Sequence, residues 1–184
     1  MKKILLITTL LITAVGAFAQ KNTSQSYIEQ FKDNAVNIMH QTGIPASIIL
    51  GIAMHESGNG NSKIAQNLNN QFGVKGGGGA VYYTKKKKVK SAYKRYDSIM
   101  DSFADFARIM TERKQFSHLS QNLTQYDYEK WVKGIQRAGY ASSKKWGSQV
   151  LNIIRKYRLN DLDQEQPSVV AENVDNKPIA QNNQ

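Results

Sequence analysis

The chain has 184 residues, 40% of them hydrophobic and 21% charged, with a formal net charge of +11 at pH 7 and no cysteine. That length suits one domain with short appendages. The lack of cysteine excludes disulfides and thiolate metal sites, and so large a basic excess points to an anionic polymer as partner.

The chain opens in the form of a secretory signal. Lys2 and Lys3 precede an apolar run from Ile4 to Val15, and Ala17-Phe18-Ala19 has the small-x-small pattern of a cleavage site. The run is shorter than the roughly 20 residues of a membrane-spanning helix. Cleavage after Ala19 is therefore expected, with no stable membrane anchor afterwards and export to the periplasm, cell envelope or medium. Loss of Lys2 and Lys3 leaves the rest strongly basic. Export turns that charge away from nucleic acid and toward cell-wall polymers that carry carboxylates or phosphates.

Residues 20–25 are polar and read as a flexible lead-in. A helix is expected from Ser26, because Ile28, Phe31, Ala35, Ile38 and Met39 recur at helical spacing. Gly43 can stop it. Pro45 suits the first turn of a second helix, and the nearly continuous apolar run Ala46 to His55 predicts that this helix is central and buried. Ser62 can cap a short third helix through Asn67. Residues 72–96 change character. A four-glycine run, Gly76 to Gly79, is followed by strand-like Ala80 to Thr84 and Val89 to Tyr96, with Lys85 to Lys88 between them, which predicts a β-hairpin with a basic turn.

Helical periodicity returns at Ser98, with Ile99, Phe103, Phe106, Ile109 and Met110 on one face. Two more helices are expected over Tyr128 to Ala138 and Ser143 to Tyr157, broken at Gly139. From Gln164 to Gln184 the chain is rich in Gln, Asn, Pro and Asp and reads as a disordered tail. The folded domain is thus expected over 26–163, without internal repeats.

The chemistry concentrates between Ile52 and Gly76, I-A-M-H-E-S-G-N-G-N-S-K-I-A-Q-N-L-N-N-Q-F-G-V-K-G. Glu56 ends the apolar run, and Gly58 and Gly60 leave room for a polymer to approach the backbone. A carboxyl so placed is partly desolvated, which favours its proton-donating form. Glycoside cleavage needs such a proton on the leaving oxygen. A lone Glu at a helix end is ordinarily a solvated residue; the long string around it sets Glu56 apart. His55-Glu56 does not complete the zinc motif H-E-x-x-H, because the fifth position is Asn59. With only His40, His55 and His118 in the chain, no metal site is expected, and no cofactor.

The string resembles the catalytic segment of glycoside hydrolase family 73, the bacterial N-acetylglucosaminidases that cut peptidoglycan. Their pattern is E-S-G-x-G-x-S followed by A-x-x-x-N-N-x-F-G-[IV]-K-G. Further family-like elements follow in order: Tyr93 to Ser98, Ala138-Gly139-Tyr140-Ala141, Trp146, and Tyr157-Arg158-Leu159. The resemblance covers Tyr27 to Asp163. It implies an α+β fold, mostly helical and lysozyme-like, with a small β-hairpin lobe across a groove. It also implies an endo-type enzyme that hydrolyses the β-1,4 bond after N-acetylglucosamine in peptidoglycan glycan strands. Glu56 and Tyr140 are its implied catalytic residues, and Ser57, Asn69, Asn70, Phe72 and Lys75 its substrate-binding residues. A tyrosine at position 140 equally suits a half-buried core role.

The sequence departs from the family at one point. Many members carry a second acid on the hairpin, whereas Ala80 to Tyr96 contains no Asp or Glu. Asp97 and Asp101 follow, where they suit cap and dipole roles. Three readings remain: the substrate's 2-acetamido group acts as nucleophile, Asp97 or Asp101 reaches the groove, or the enzyme is weak or inactive. The first asks least of the protein. A lytic transglycosylase using Glu56 alone and a decayed glycan-binding module are the alternatives.

Overall fold

The structure is a computed structural model and describes residues 21–84 and 87–166. The expected signal segment, residues 167–184 of the expected tail, and Lys85 and Lys86 of the basic turn lie outside the described residues.

Seven α-helices and a two-stranded sheet make up the described fold, in the order α1 (Ser24–Thr42), α2 (Ala46–Ser57), α3 (Lys63–Leu68), β1 (Lys75–Tyr83), β2 (Lys88–Tyr93), α4 (Ile99–Glu112), α5 (Lys114–Asn122), α6 (Tyr128–Arg137) and α7 (Trp146–Lys156). A 3-10 helix, Leu159–Gln164, closes it. This is the expected α+β architecture, a helical lobe with a small hairpin lobe. α1 starts two residues earlier than the apolar spacing indicates. The reason is a capping box: the Thr23 side chain accepts from the Ser26 backbone N–H, and the Ser26 hydroxyl oxygen accepts from the Thr23 backbone N–H. Helix α5 was not among the expected elements. It follows α4 after a single residue, Arg113, so the pair reads as one periodic stretch.

Helix α2 is the centre of the core. Every residue from Ala46 to Met54 is buried. α1, α7 and the closing 3-10 helix enclose it. α7 crosses closely because position 51 has no side chain: a Cβ there would sit 2.8 Å from the Ile154 side chain. The N-terminus of α2 has no local side-chain cap, since Pro45 supplies none. Asp163, 116 residues away, does that work. Its carboxylate accepts from the Ser47 N–H at 2.8 Å and from the Ser47 hydroxyl at 2.7 Å. Burial pushes the Asp163 carboxyl up to about 6 against these bonds.

The hairpin is antiparallel and irregular. Lys75 pairs with Tyr93 and Ala80 with Ser91, so the glycine run bulges out of register inside β1. Gly76 and Gly79 take positive φ there, a conformation that side chains resist. The run is thus part of the strand and not a lead into it. β2 ends at Tyr93, earlier than expected. Beyond it, the Lys94 ammonium, the Tyr96 hydroxyl and the Arg108 guanidinium converge on Asp105. Burial alone raises the Asp105 carboxyl, but these donors outweigh it and hold it down at about 2.

Two stability predictions follow. Asp163→Ala leaves the buried Ser47 groups without an acceptor and is expected to cost about 1–3 kcal/mol, whereas Asp163→Asn keeps an acceptor and costs less. The raised folded value means the native state holds the extra proton above the unfolded range, so this group's contribution falls as pH rises from about 4 to about 6. The pH dependence of urea midpoints for the wild type and Asp163→Asn checks both statements, and a matching slope in the two proteins contradicts the second. Asp105 has the opposite sign. Its contribution is complete above about pH 4 and is lost as pH falls toward about 2, and Asp105→Asn is expected to flatten that acid limb.

Candidate active site

A cleft of about 490 Å³ runs between the helical lobe and the base of the hairpin. Five stretches build its walls: the end of α2, the 72–75 segment with Tyr93, the α4–α5 junction, the loop between α6 and α7, and the start of α7. Among the described residues that line it, Glu56 is the one carboxylate.

Glu56 is held from both sides. The Trp146 indole N–H donates to its Oε1 at 2.7 Å. His55 Nδ1 lies 3.4 Å from the same oxygen, and His55 Nε2 lies 3.2 Å from the Gln149 side-chain oxygen. Trp146 and Gln149 stand three residues apart on one face of α7, so one helix fixes both members of the His55-Glu56 pair. The hydrogen bond to Glu56 raises His55 above its ordinary value, against a smaller opposing effect of burial. The other carboxylate oxygen faces Gly73. A Cβ at position 73 would lie 3.2 Å from Glu56 Oε2 and 3.9 Å from the Tyr93 ring, and φ there is +65°. Glycine thus satisfies both the backbone and the space beside the acid. The Glu56 side chain remains 24% exposed, open to the cleft.

Tyr140 also lines the cleft, and its hydroxyl donates to the Phe72 carbonyl at 2.8 Å. Its ring packs at 5.3 Å from Trp146 and edge-on to Phe106 and Phe116. Burial, and then the charge of Glu56, push the phenol well above its ordinary value. Tyr140 therefore stays a neutral donor that ties the α6–α7 loop to the segment beside Glu56.

Phe72 and Lys75 reach the cleft. Phe72 is buried, stacked at 4.2 Å on Phe106, and offers its backbone more than its ring. Lys75 is exposed at the mouth, with its ammonium 6.0 Å from the Tyr93 ring.

Ser57, Asn69 and Asn70, three of the expected substrate-binding residues, are not among the residues that line the cleft. The Ser57 hydroxyl is buried, donating to the Ala53 carbonyl and accepting from the Gly60 N–H, which shapes the turn after α2. Asn69 donates to the Tyr96 and Asp97 carbonyls. Asn70 is buried, donates to the Val74 and Lys94 carbonyls and accepts from the Val74 N–H. The Asn pair fastens the hairpin's return to the helical lobe.

Neither Asp97 nor Asp101 lines the cleft; Asp101 closes a capping box with Ser98 at the start of α4. Arg113 and Ser142 line it and were not singled out from the sequence; His55 and Tyr93, noted there without a site role, line it as well. The Trp146–Glu56 bond spans 90 residues and leaves no local pattern. Among the described residues, no group of three or more His, Asp or Glu side chains is placed to hold a metal ion.

Comparison with known proteins adds a family to this geometry. The glucosaminidase family model, described as mannosyl-glycoprotein endo-beta-N-acetylglucosaminidase, matches residues 32–159. The exo-glucosaminidase LytG of Bacillus subtilis (strain 168) is 25% identical over 156 residues, which cover 79% of this chain and 55% of LytG. The peptidoglycan hydrolase FlgJ of Vibrio parahaemolyticus is 27% identical over 153 residues, 75% of this chain and 49% of FlgJ. The chain thus spans about half the length of these curated relatives. The catalytic domain of the autolysin Auto from Listeria monocytogenes superposes with a TM-score of 0.61 at 22% identity, covering 79% of this chain and 91% of that one. The glycoside hydrolase domain of Salmonella typhimurium FlgJ gives 0.59 at 23% identity, with coverages of 74% and 89%. These two structures share the fold. With its family model matched from the middle of α1 to the start of the closing 3-10 helix, the chain belongs to the glucosaminidase family, glycoside hydrolase family 73.

Proposed function

We propose that the protein is an exported peptidoglycan hydrolase that cleaves the β-1,4 bond after N-acetylglucosamine, with Glu56 as general acid. The observation that carries this reading is Glu56 itself, the one carboxylate among the described residues that line an open cleft, oriented by Trp146 and His55. Family membership and the relatives named for peptidoglycan hydrolysis support the substrate. Export rests on the amino-terminal signal pattern, and no helix among the described residues is long and apolar enough to cross a membrane.

The proposed chemistry uses one protein acid. The carbonyl oxygen of the substrate's 2-acetamido group attacks C1 of its own sugar as the C1–O glycosidic bond breaks. Glu56 passes its proton to the departing oxygen. Water then adds to C1, the acetamido oxygen leaves, and the Glu56 carboxylate takes the proton that the water gives up. The sugar keeps its configuration and Glu56 ends protonated, as it began. Asp97 and Asp101 have no part in this sequence, and their positions away from the cleft favour it over a second protein carboxylate. Tyr140 orders the Phe72-Gly73 backbone against which the sugar rests.

Glu56→Gln is expected to reduce sugar release from purified wall by about 10²–10⁴-fold without lowering the melting temperature. Near-wild-type turnover in that variant would falsify the assignment. Mass spectrometry of the wild-type digest is expected to show reducing N-acetylglucosamine ends; anhydro-sugar ends identify a lytic transglycosylase instead. Glycans stripped of their acetyl groups are expected to resist cleavage, and ready cleavage of them removes the acetamido group from the mechanism.

Trp146→Phe keeps an aromatic ring and removes the donor to Glu56. A hydrogen bond to a charged group contributes about 1.5–3 kcal/mol, so kcat is expected to fall by at least about tenfold with a smaller change in KM. A KM effect alone makes Trp146 a sugar contact and not a holder of the acid.

A further inference from the structure

A second depression, of about 500 Å³, lies between α5 and α6. Leu119, Leu123 and Ala138 give it an apolar floor. Its rim is cationic. Lys130, Lys133 and Arg137 follow one another at helical spacing along one face of α6, and His118 faces them from α5. Gly134 sits within that row, and a Cβ there would meet the Leu119 side chain at 2.5 Å. Glycine lets α6 settle close against α5 and brings the basic row to the edge of the floor. No carboxylate lines the groove among the described residues. Lys130 is paired with Asp127, and Lys133 lies in the field of Glu129, but Arg137 has no acidic partner among the described residues. The groove adjoins the cleft beside Glu56, and Gln115 lines both.

We propose that this groove binds the carboxylate-bearing peptide stems of the same glycan strand whose sugars occupy the cleft, an inference that rests on the peptidoglycan reading. Three properties select that occupant. The cationic rim calls for anions, which the sugars of the strand do not concentrate in one place. The apolar floor suits the small alkyl side chains of a short peptide and has no use for a bare phosphate polymer. The shared Gln115 wall sets the groove next to the cleft, on the side to which a substituent of a bound sugar can extend. The site then reads the decoration of the strand, while the cleft reads its backbone.

Lys133 and Arg137 are both exposed, so reversing their charge leaves the core intact. The full chain carrying Glu56→Gln, to prevent turnover, is compared with the same chain also carrying Lys133→Glu and Arg137→Glu. Calorimetry measures binding of glycan oligosaccharides with intact peptide stems, of the same oligosaccharides stripped of peptide, and of the free stem peptide. The preference for stemmed over stripped strands is expected to fall about tenfold on charge reversal, as for two surface ion pairs near the upper end of their usual strength. Free stem peptide is expected to bind weakly to the parent and more weakly still to the reversed variant. An unchanged preference overturns the proposal. So does equal affinity for stems whose carboxylates have been amidated. Displacement of the free stem peptide by a glycerol-phosphate polymer of higher affinity overturns it in favour of wall phosphate. The free peptide also separates this inference from the hydrolase reading. If its binding depends on Lys133 and Arg137 while the wild type cleaves no glycan, the groove stands and the catalytic assignment falls.

Discussion

The whole arrangement depends on the enclosure of α2. A helix that is apolar on every side is stable only when neighbours cover all of it, so the other elements are arranged around this one. Its two ends cannot be treated that way, because terminal peptide groups and polar side chains need partners. Distant parts of the chain supply them. Asp163 reaches back from the closing 3-10 helix to cap the first turn, and Trp146 reaches from α7 to the carboxylate at the last. The core helix is therefore tied at one end by a buried acid and presents an acid to the cleft at the other.

Three acids show how surroundings separate behaviour. Asp163 is buried, its carboxylate held by the Ser47 groups and the Ala46 backbone, and burial dominates its behaviour. Asp105, also nearly buried, is surrounded by a phenol and two cations and behaves oppositely. Glu56 is left partly open, with a neutral indole donor and an imidazole at one oxygen and a glycine beside the other. That combination fixes the orientation of the carboxyl while leaving it a face on the cleft, the placement that the proposed proton transfer uses.

The hairpin lobe owes its position to side-chain bonds more than to its sheet. Asn69 and Asn70 hold the return strand to the segment that carries Phe72 and Gly73, and Tyr140 pins that segment from the opposite wall. The asparagines thus shape the cleft without lining it. Residues with a catalytic-looking context contribute here through geometry, and the cations at the mouth, Lys75 and Arg113, supply the basic character that the composition implied.

The helical core, the stop at Gly43, the capped third helix, the hairpin and Glu56 at the end of the apolar run were legible in the sequence. Each follows from local periodicity, a cap or a backbone preference that acts within a few residues. The family string around Glu56 likewise marked which carboxylate to examine. The tertiary structure alone decided what surrounds that carboxylate. The Trp146 and Gln149 contacts, the Tyr140–Phe72 bond and the Asp163 cap join positions 68 to 116 residues apart, and no local pattern records such pairings. For the same reason the sequence did not separate asparagines that hold the framework from residues that line the cleft. Both kinds are polar and sit in one motif, and only the direction in which each side chain is buried distinguishes them.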